Sequence, residues 1–341
     1  MRKKVVILGT GGTISGRALA AMDNVGYTAA EVPVSDLLAT DPWLERAFPS
    51  TDLVAEQVAQ IDSKDLDCGE WFRLAHRALH WMSQPEVCGL VVTHGTDTVE
   101  ETAFFLSAVL PVHILESKPV VLTGAMRPVT SVIADGPQNL RDALTVCCAE
   151  GANGVSVACA ARLHDARLVQ KIHPYRADAF DSGESGPLGV VEEGVLRMLR
   201  PWPRAGEFYN LCAIDRLLPR DWPRVEIIVS GAAMSGATVR SLCRDPISPD
   251  QPVQGIVVAA TGNGTIHHDL ESALLFAQSR GVRVVRALRC LLGRVVQREG
   301  IQALFPHSNG LSPAKSRVAL MLELMASASA TVPPAGTAFT N

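Results

Sequence analysis

Apolar positions along the chain fall into short unbroken runs and longer periodic stretches that alternate. Runs of four to six β-branched residues, bounded by Gly, Pro or Asp, predict strands at 4–8, 53–61, 88–93, 119–123 and 154–160. Because these runs show little polar alternation, they read as parallel strands covered on both faces. Between them the spacing predicts helices near 33–39, 64–83, 98–109 and 137–150. A second block repeats the alternation after Pro201-Trp202-Pro203. It has strands near 225–230, 254–259 and 282–287 and helices near 235–243, 268–280 and 313–328. The expected fold is α/β: a larger, doubly wound N-terminal domain with a mostly parallel sheet over 1–191, and a smaller α/β domain over 223–328. The Arg-, Pro- and Gly-rich stretch 192–222 reads as a linker, and the small residues of 329–341 as a frayed tail.

Composition narrows the class. Hydrophobic residues make up 47% of the 341 and charged residues 19%, enough apolar surface to build cores of this kind. A net charge of −4 and a pI near 6.1 give no reason to expect a nucleic-acid partner. With no apolar run of about 18 residues, no membrane-spanning helix is expected. Met1-Arg2-Lys3-Lys4 imitates a signal-peptide start, but the apolar run after it, Val5–Leu8, is too short for an export core. The expected location is therefore cytoplasmic, or periplasmic if an export signal has been removed. The eight cysteines lie mostly in apolar stretches without a CxxC pair, which reads as core residues in a reducing compartment.

The chemistry gathers at strand ends. Val5–Leu8 runs into Gly9-Thr10-Gly11-Gly12-Thr13-Ile14, and Val91-Val92 into Thr93-His94-Gly95-Thr96-Asp97-Thr98. A third turn, Thr123-Gly124-Ala125-Met126-Arg127-Pro128, follows Val120–Leu122. Open α/β sheets bind ligands at the carboxyl edge of their strands, so these turns are expected to share a crevice. The glycine turn does not fit a nucleotide: Ile14 stands where a dinucleotide fingerprint needs its third glycine, and no lysine closes a P-loop. Residues 15–32 show little periodicity and read as an active-site lid, with Tyr27 placed to meet the Thr13 hydroxyl.

No metal is expected. His76 and His80 share a helix face, but the apolar stripe Trp71, Leu74, Ala75, Ala78 and Met82 lies opposite, and Arg77 sits where a metalloprotease helix carries Glu. His267-His268 and His307 lack ligand spacing. A serine elbow is also excluded, because Gly183-Glu184-Ser185-Gly186 is followed by Pro187. A threonine needs a neighbouring base before it attacks a carbonyl, and a lysine kept neutral by burial can serve. Of the six lysines, Lys171, after the apolar segment Leu168-Val169, is the one expected to be buried.

These residues resemble the bacterial L-asparaginase and glutaminase-asparaginase family over about 4–325. The matching stretches include Gly11-Gly12-Thr13-Ile14, Thr93–Thr98 with Glu100-Glu101-Thr102-Ala103, and Gly124–Pro128. Further ones are Ala134-Asp135-Gly136-Pro137 with Asn139, Gly262-Asn263-Gly264 and Pro313-Ala314-Lys315-Ser316-Arg317. The resemblance implies hydrolysis of L-asparagine, with L-glutamine as the alternative substrate, without a cofactor, by a homotetramer whose active sites lie at subunit interfaces. A non-catalytic amino-acid-binding protein is the rival reading. It further implies Thr13 as nucleophile with Tyr27 beside it, Thr96, Asp97 and Lys171 as a second triad, and Ser63, Thr96, Asp97, Ala125 and Glu299 as substrate-binding residues.

Overall fold

The structure, a computed structural model, describes residues 2–39, 41, 44–203, 222–244, 252–296 and 304–328. Glu299, most of the 192–222 stretch and the 329–341 tail lie outside the described residues. The chain divides into two compact units at residues 210 and 211.

The first unit opens with β1 (Lys3–Gly11), β2 (Arg17–Ala18), β3 (Tyr27–Thr28), α1 (Val34–Ala39), α2 (Leu44–Ala47), β4 (Thr51–Ile61) and α3 (Cys68–Met82). It continues through β5 (Val87–Thr93), α4 (Val99–Val109), α5 (Val112–Leu115), β6 (Val120–Thr123), α6 (Gly136–Cys148) and β7 (Val155–Cys159). It closes with β8 (Arg162–Asp165), β9 (Gln170–Lys171), β10 (Phe180–Asp181), β11 (Gly189–Glu192) and β12 (Val195–Met198). Its sheet has eight strands in the order β12-β11-β8-β7-β6-β5-β1-β4. From β4 to β7 the pairing is parallel, and from β7 outward it is antiparallel.

The inner parallel strands are covered on both faces, as their sequence predicts, whereas β4, expected to be covered likewise, is the edge strand and has no fully buried residue. Val5, Val6, Ile7, Leu8, Val91, Val92, Val120 and Val121 are all at 0% exposure. One face carries α6, whose Leu140, Ala143, Leu144 and Cys147 share a buried cluster with Val5, Ile7, Val91 and Val121. Helix α3 begins at Cys68 rather than 64, because Asp67 accepts a hydrogen bond from Glu70 N at 2.9 Å and caps it. Before it, Ser63–Asp65 forms a single 3-10 turn directly after β4.

Strand order fixes where a ligand can sit. The chain passes from β1 to β4 on one side, then returns to place β5 on the other side of β1. The carboxyl ends of β1 and β5 therefore diverge into opposite connections, which opens a crevice at this switch point. Thr13 and Thr96 follow those two strands.

Two readings of the sequence are corrected. The expected linker begins inside a hairpin: β12 pairs with β11 from Gly189↔Met198 to Glu192↔Val195. Its two-residue loop, Glu193-Gly194, takes φ of 49° and 73°, the left-handed pair that suits a strand-reversing turn. The lid is likewise not structureless, since β2 and β3 pair with Ala18 opposite Tyr27.

The second unit contains β13 (Arg224–Val229), α7 (Ala237–Leu242), β14 (Val253–Ala260), α8 (His268–Ser279), β15 (Arg283–Leu288) and α9 (Pro313–Ala328). Its three strands are parallel in the order β13-β14-β15. Val239 of α7 and Leu270, Ala273 and Leu274 of α8 pack on Ile256 and Val258 of β14. Leu320 of α9 lies against Gly255, on the other face of that strand. Among the described residues no helix is long and apolar enough to cross a membrane.

Candidate active site

The two threonine turns meet through glycine backbone. A Cβ on Gly12 would collide with Gly95 Cα and N, and one on Gly95 with the Ser63 side chain. Gly12 also sits at φ 79°, in the left-handed region. Any side chain at either position would push the turns apart. Thr10 Oγ1 reinforces the junction by donating to Thr93 O at 2.9 Å, which ties the end of β1 to the end of β5.

Thr13 opens a 3-10 turn, Thr13–Ser15, and is 8% exposed. Its Oγ1 lies 2.6 Å from Tyr27 Oη, delivered by β3 of the lid hairpin. The hairpin is fastened to the segment after β6. Ala18 N donates to Thr130 Oγ1 at 2.9 Å, Val129 N to Gly16 O at 3.0 Å, and Ser131 Oγ to Asn24 Oδ1 at 2.6 Å.

Thr96, 5% exposed, forms the second hydroxyl site. Lys171 Nζ lies 2.9 Å from Thr96 Oγ1 and 2.6 Å from Asp97 Oδ1, so the amine bridges hydroxyl and carboxylate. The Asp97 side chain is 58% exposed and that of Lys171 15%, which leaves the carboxylate open to a ligand while the amine is shielded. Lys171 is held from behind, because its main-chain N donates to Glu100 Oε2 of α4 at 2.6 Å. Burial alone does not single it out: Lys315 of α9, at 0% exposure, is the fully buried lysine. Lys171 stands out by geometry instead.

Ser63 is buried at 3%, with its side chain against Gly95 and its carbonyl accepting from Thr98 Oγ1 at 2.9 Å. Ala125 is buried in a cluster with Ile14, Val32 and Leu37, beside the first threonine turn. Thr13 follows β1 and Thr96 and Asp97 follow the adjoining β5, while Ser63 comes from the turn after β4, Tyr27 from β3 and Lys171 from β9; the expected Glu299 lies outside the described residues. Lys64 carries an extra cation beside Ser63; its ion pair with Asp65 holds its pKa above the usual lysine value.

Several supporting residues lie in the matching stretches but were given no role from sequence. Asp135 accepts from the main-chain N of Met126 and Arg127 at 3.0 and 2.9 Å and so shapes the turn after β6. Asn139 donates to Gly124 O at 2.9 Å and accepts from Ala160 N. Arg127 donates to Tyr175 O at 2.8 Å and lies 4.1 Å over the Tyr175 ring, which fastens the loop between β9 and β10. A polar residue next to a functional turn was the available signal, but such residues are also common as plain helix caps.

The metal expectation meets one new grouping. His267, His268 and Asp269 bring three ligand atoms within 4.8 Å of one another. They lie at the start of α8, where His267 Nδ1 already accepts from Asp269 N at 3.2 Å and the helix dipole disfavours a cation. His76 also departs from the solvated face expected of it: its Nε2 is buried and its ring packs 4.3 Å from Phe72.

Two families cover the chain. Residues 4–204 match the family described as "Asparaginase, N-terminal", and residues 224–331 match "Glutaminase/Asparaginase C-terminal domain". The "L-asparaginase 2" of Bacillus subtilis (strain 168) is 33% identical over 93% of this chain and 81% of its own length. The "Glutaminase-asparaginase" of Pseudomonas fluorescens biotype A is 32% identical over 94% of this chain and 86% of its own. A crystal structure of a probable cytoplasmic L-asparaginase from Campylobacter jejuni superposes with a TM-score of 0.85 at 34% identity, covering 94% of this chain and 95% of that one. Strand order, paired threonine turns and similarity over both units agree, and the chain belongs to the asparaginase and glutaminase-asparaginase family.

Proposed function

We propose that the protein hydrolyses the side-chain amide of L-asparagine to L-aspartate and ammonia through a threonyl acyl-enzyme. The observation that carries this reading is the pair of hydroxyls with separate proton partners, Thr13 with Tyr27 at 2.6 Å and Thr96 with Lys171 at 2.9 Å. A hydroxyl beside a proton acceptor is what nucleophilic attack on a carbonyl requires.

In this mechanism Thr13 Oγ1 bonds to the amide carbon while its proton passes to Tyr27 Oη, which hands its own phenolic proton on toward the leaving nitrogen. Main-chain N–H groups at the Thr96 turn stabilise the oxyanion. As the tetrahedral intermediate collapses, the C–N bond breaks and the nitrogen leaves as ammonia with the proton relayed from Thr13 through Tyr27. Thr96, polarised by Lys171, then directs a water at the acyl carbon; the water oxygen bonds to that carbon, the ester bond to Thr13 breaks, and the water's proton ends on Thr13 Oγ1, so that aspartate departs and the hydroxyl is restored. Asp97 holds the substrate α-ammonium and Ser63 the α-carboxylate. No cofactor enters these steps.

The relatives include enzymes named both L-asparaginase and glutaminase-asparaginase, which favours a second reading with substantial glutamine turnover. One methylene is discriminated by only about 1–3 kcal/mol. Ammonia release measured with asparagine and glutamine side by side decides between them. Binding of either amino acid without ammonia would instead identify a non-catalytic homologue. We also propose a homotetramer with shared sites, tested by light scattering, and a cytoplasmic location, tested by fractionation against the periplasmic alternative.

A further inference from the structure

His94 is fully buried at 0% exposure, next to the proposed acyl site, and plays no part in the mechanism above. Its two ring nitrogens are both engaged. Trp71 Nε1 of α3 donates to Thr102 Oγ1 of α4 at 2.9 Å, since an indole N–H can only donate. Thr102 Oγ1 in turn lies 2.9 Å from His94 Nε2. At its other side, His94 Nδ1 lies 2.8 Å from Gly95 O, which can only accept. The carbonyl forces a proton onto Nδ1. That leaves Nε2 as the acceptor in the neutral ring, and the Thr102 hydroxyl donates to it. The whole chain runs one way: Trp71 to Thr102 to His94 to the Gly95 carbonyl. Burial supports the neutral ring, pushing the His94 pKa down to about 4.

The Gly95 carbonyl and the Thr96 N–H belong to the same planar peptide and point in opposite directions. Thr96 N meets no acceptor among the described residues, although Thr96 is only 5% exposed. A buried N–H without a partner is costly unless something comes to accept from it. Gly95 has no side chain to fix this plane, and space for one is denied by Ser63 and Gly12.

We infer that His94 is a positioning residue, locked by Trp71 and Thr102 in its Nδ1–H tautomer, that clamps the Gly95–Thr96 peptide so that the Thr96 N–H faces the developing oxyanion. The inference rests on the acyl-transfer reading above. It assigns the donor to one peptide and gives it a cause in the core. A hydrogen bond accepted by the carbonyl also polarises the peptide and strengthens its N–H as a donor.

Two measurements test it. Nitrogen-15 NMR of histidine-labelled full-length protein reads the tautomer directly, and a protonated Nδ1 with an unprotonated Nε2 at His94 is expected. The reverse pattern overturns the inference whatever the activity. Steady-state kinetics then compare Thr102→Val, which keeps the shape and removes the hydroxyl, with Thr102→Ser, which keeps it. Thr102→Val is expected to lower kcat about 10- to 100-fold with KM changed less than about twofold, as misplaced donors do. Thr102→Ser is expected to restore kcat to within about threefold, as a hydrogen-bond role requires and a packing role does not. If Thr102→Val fails to fold, Thr102→Ser and Thr102→Ala carry the same comparison. Equal kcat in the hydroxyl-bearing and hydroxyl-lacking variants, with the tautomer changed in the latter, overturns the role. A wild-type protein that releases no ammonia sinks the acyl-transfer reading and the oxyanion role with it, while the nitrogen spectra still judge the relay separately.

Discussion

The turn carrying Thr13 and the turn carrying Thr96 do similar things in sequence and differ in how they are held. Around Thr13 the backbone is glycine, the 3-10 turn has no side-chain cap, and the partner hydroxyl arrives on a hairpin. That hairpin exposes Leu19, Met22 and Val25 almost fully. Around Thr96 three neighbours are tied back to packed elements: His94 through Thr102 and Trp71, Lys171 through Glu100, and Thr98 through Ser63. Segments with little buried surface open at low free-energy cost, and packed ones do not. In the proposed mechanism entry and attack fall to a side that can open, and oxyanion binding and deacylation to a side that must keep its geometry.

The largest effect should come from the attacking hydroxyl. Thr13→Val is expected to lower kcat by on the order of 10⁴-fold or more with the fold intact by circular dichroism. Near-normal ammonia release from that variant would falsify the division of labour. On the rigid side, Lys171→Met is expected to lower kcat by about 10²- to 10⁴-fold. A Thr96→Val, Lys171→Met double variant should fall little further than either single one, because groups acting as a unit are not additive. Additive losses would show that the pair is not one device.

Tyr27→Phe separates the lid from its hydroxyl. A loss of roughly 10²-fold in kcat is expected, with lid closure, followed by limited proteolysis with and without aspartate, unchanged. Were proteolysis to change and kcat not, Tyr27 would be a latch rather than a proton partner.

The smallest effect is one of stability, and it tests how rigid the second turn is. The folded His94 pKa, near 4, lies below the usual value of 6.5. Protonation is thus harder folded than unfolded, and the unfolded chain takes up the proton first as pH falls. The folded state loses stability from about pH 6.5 down to about pH 4, by on the order of 3 kcal/mol in total. Thermal melts across that window should show the slope, and His94→Gln should flatten it. An unchanged slope would move its origin to other groups.

Much of the first unit was legible. The strands that hold the two turns are unbroken β-branched runs, and such runs have few other uses in a chain with helices between them. Strand β8, Arg162–Asp165, was not legible, because its polar His164 and Asp165 are buried, His164 by a partner 18 residues away, Ser182, at 2.8 Å. The β11–β12 hairpin was missed for a different reason: its turn signal, Glu193-Gly194, sits at the edge of a stretch whose Arg, Pro and Gly content resembles a linker. Lys171 was reached by an argument from burial that Lys315 satisfies better; what sets it apart is its place 2.9 Å from Thr96 Oγ1, which no burial pattern shows.

By itself the sequence determined local things: which segments are strands, that each is followed by a turn of glycine and hydroxyl residues, and that nucleotide and serine-elbow chemistry do not fit. Only the tertiary structure decided who meets whom. Tyr27 reaches Thr13 across 14 residues and Lys171 reaches Thr96 across 75. The relay behind His94 joins two helices to one peptide plane. Such meetings depend on strand order, register and the fit of two glycine backbones, which are properties of the assembled sheet. No local pattern of apolar and polar residues encodes them, because the free energy that fixes them is shared by contacts far apart in the chain.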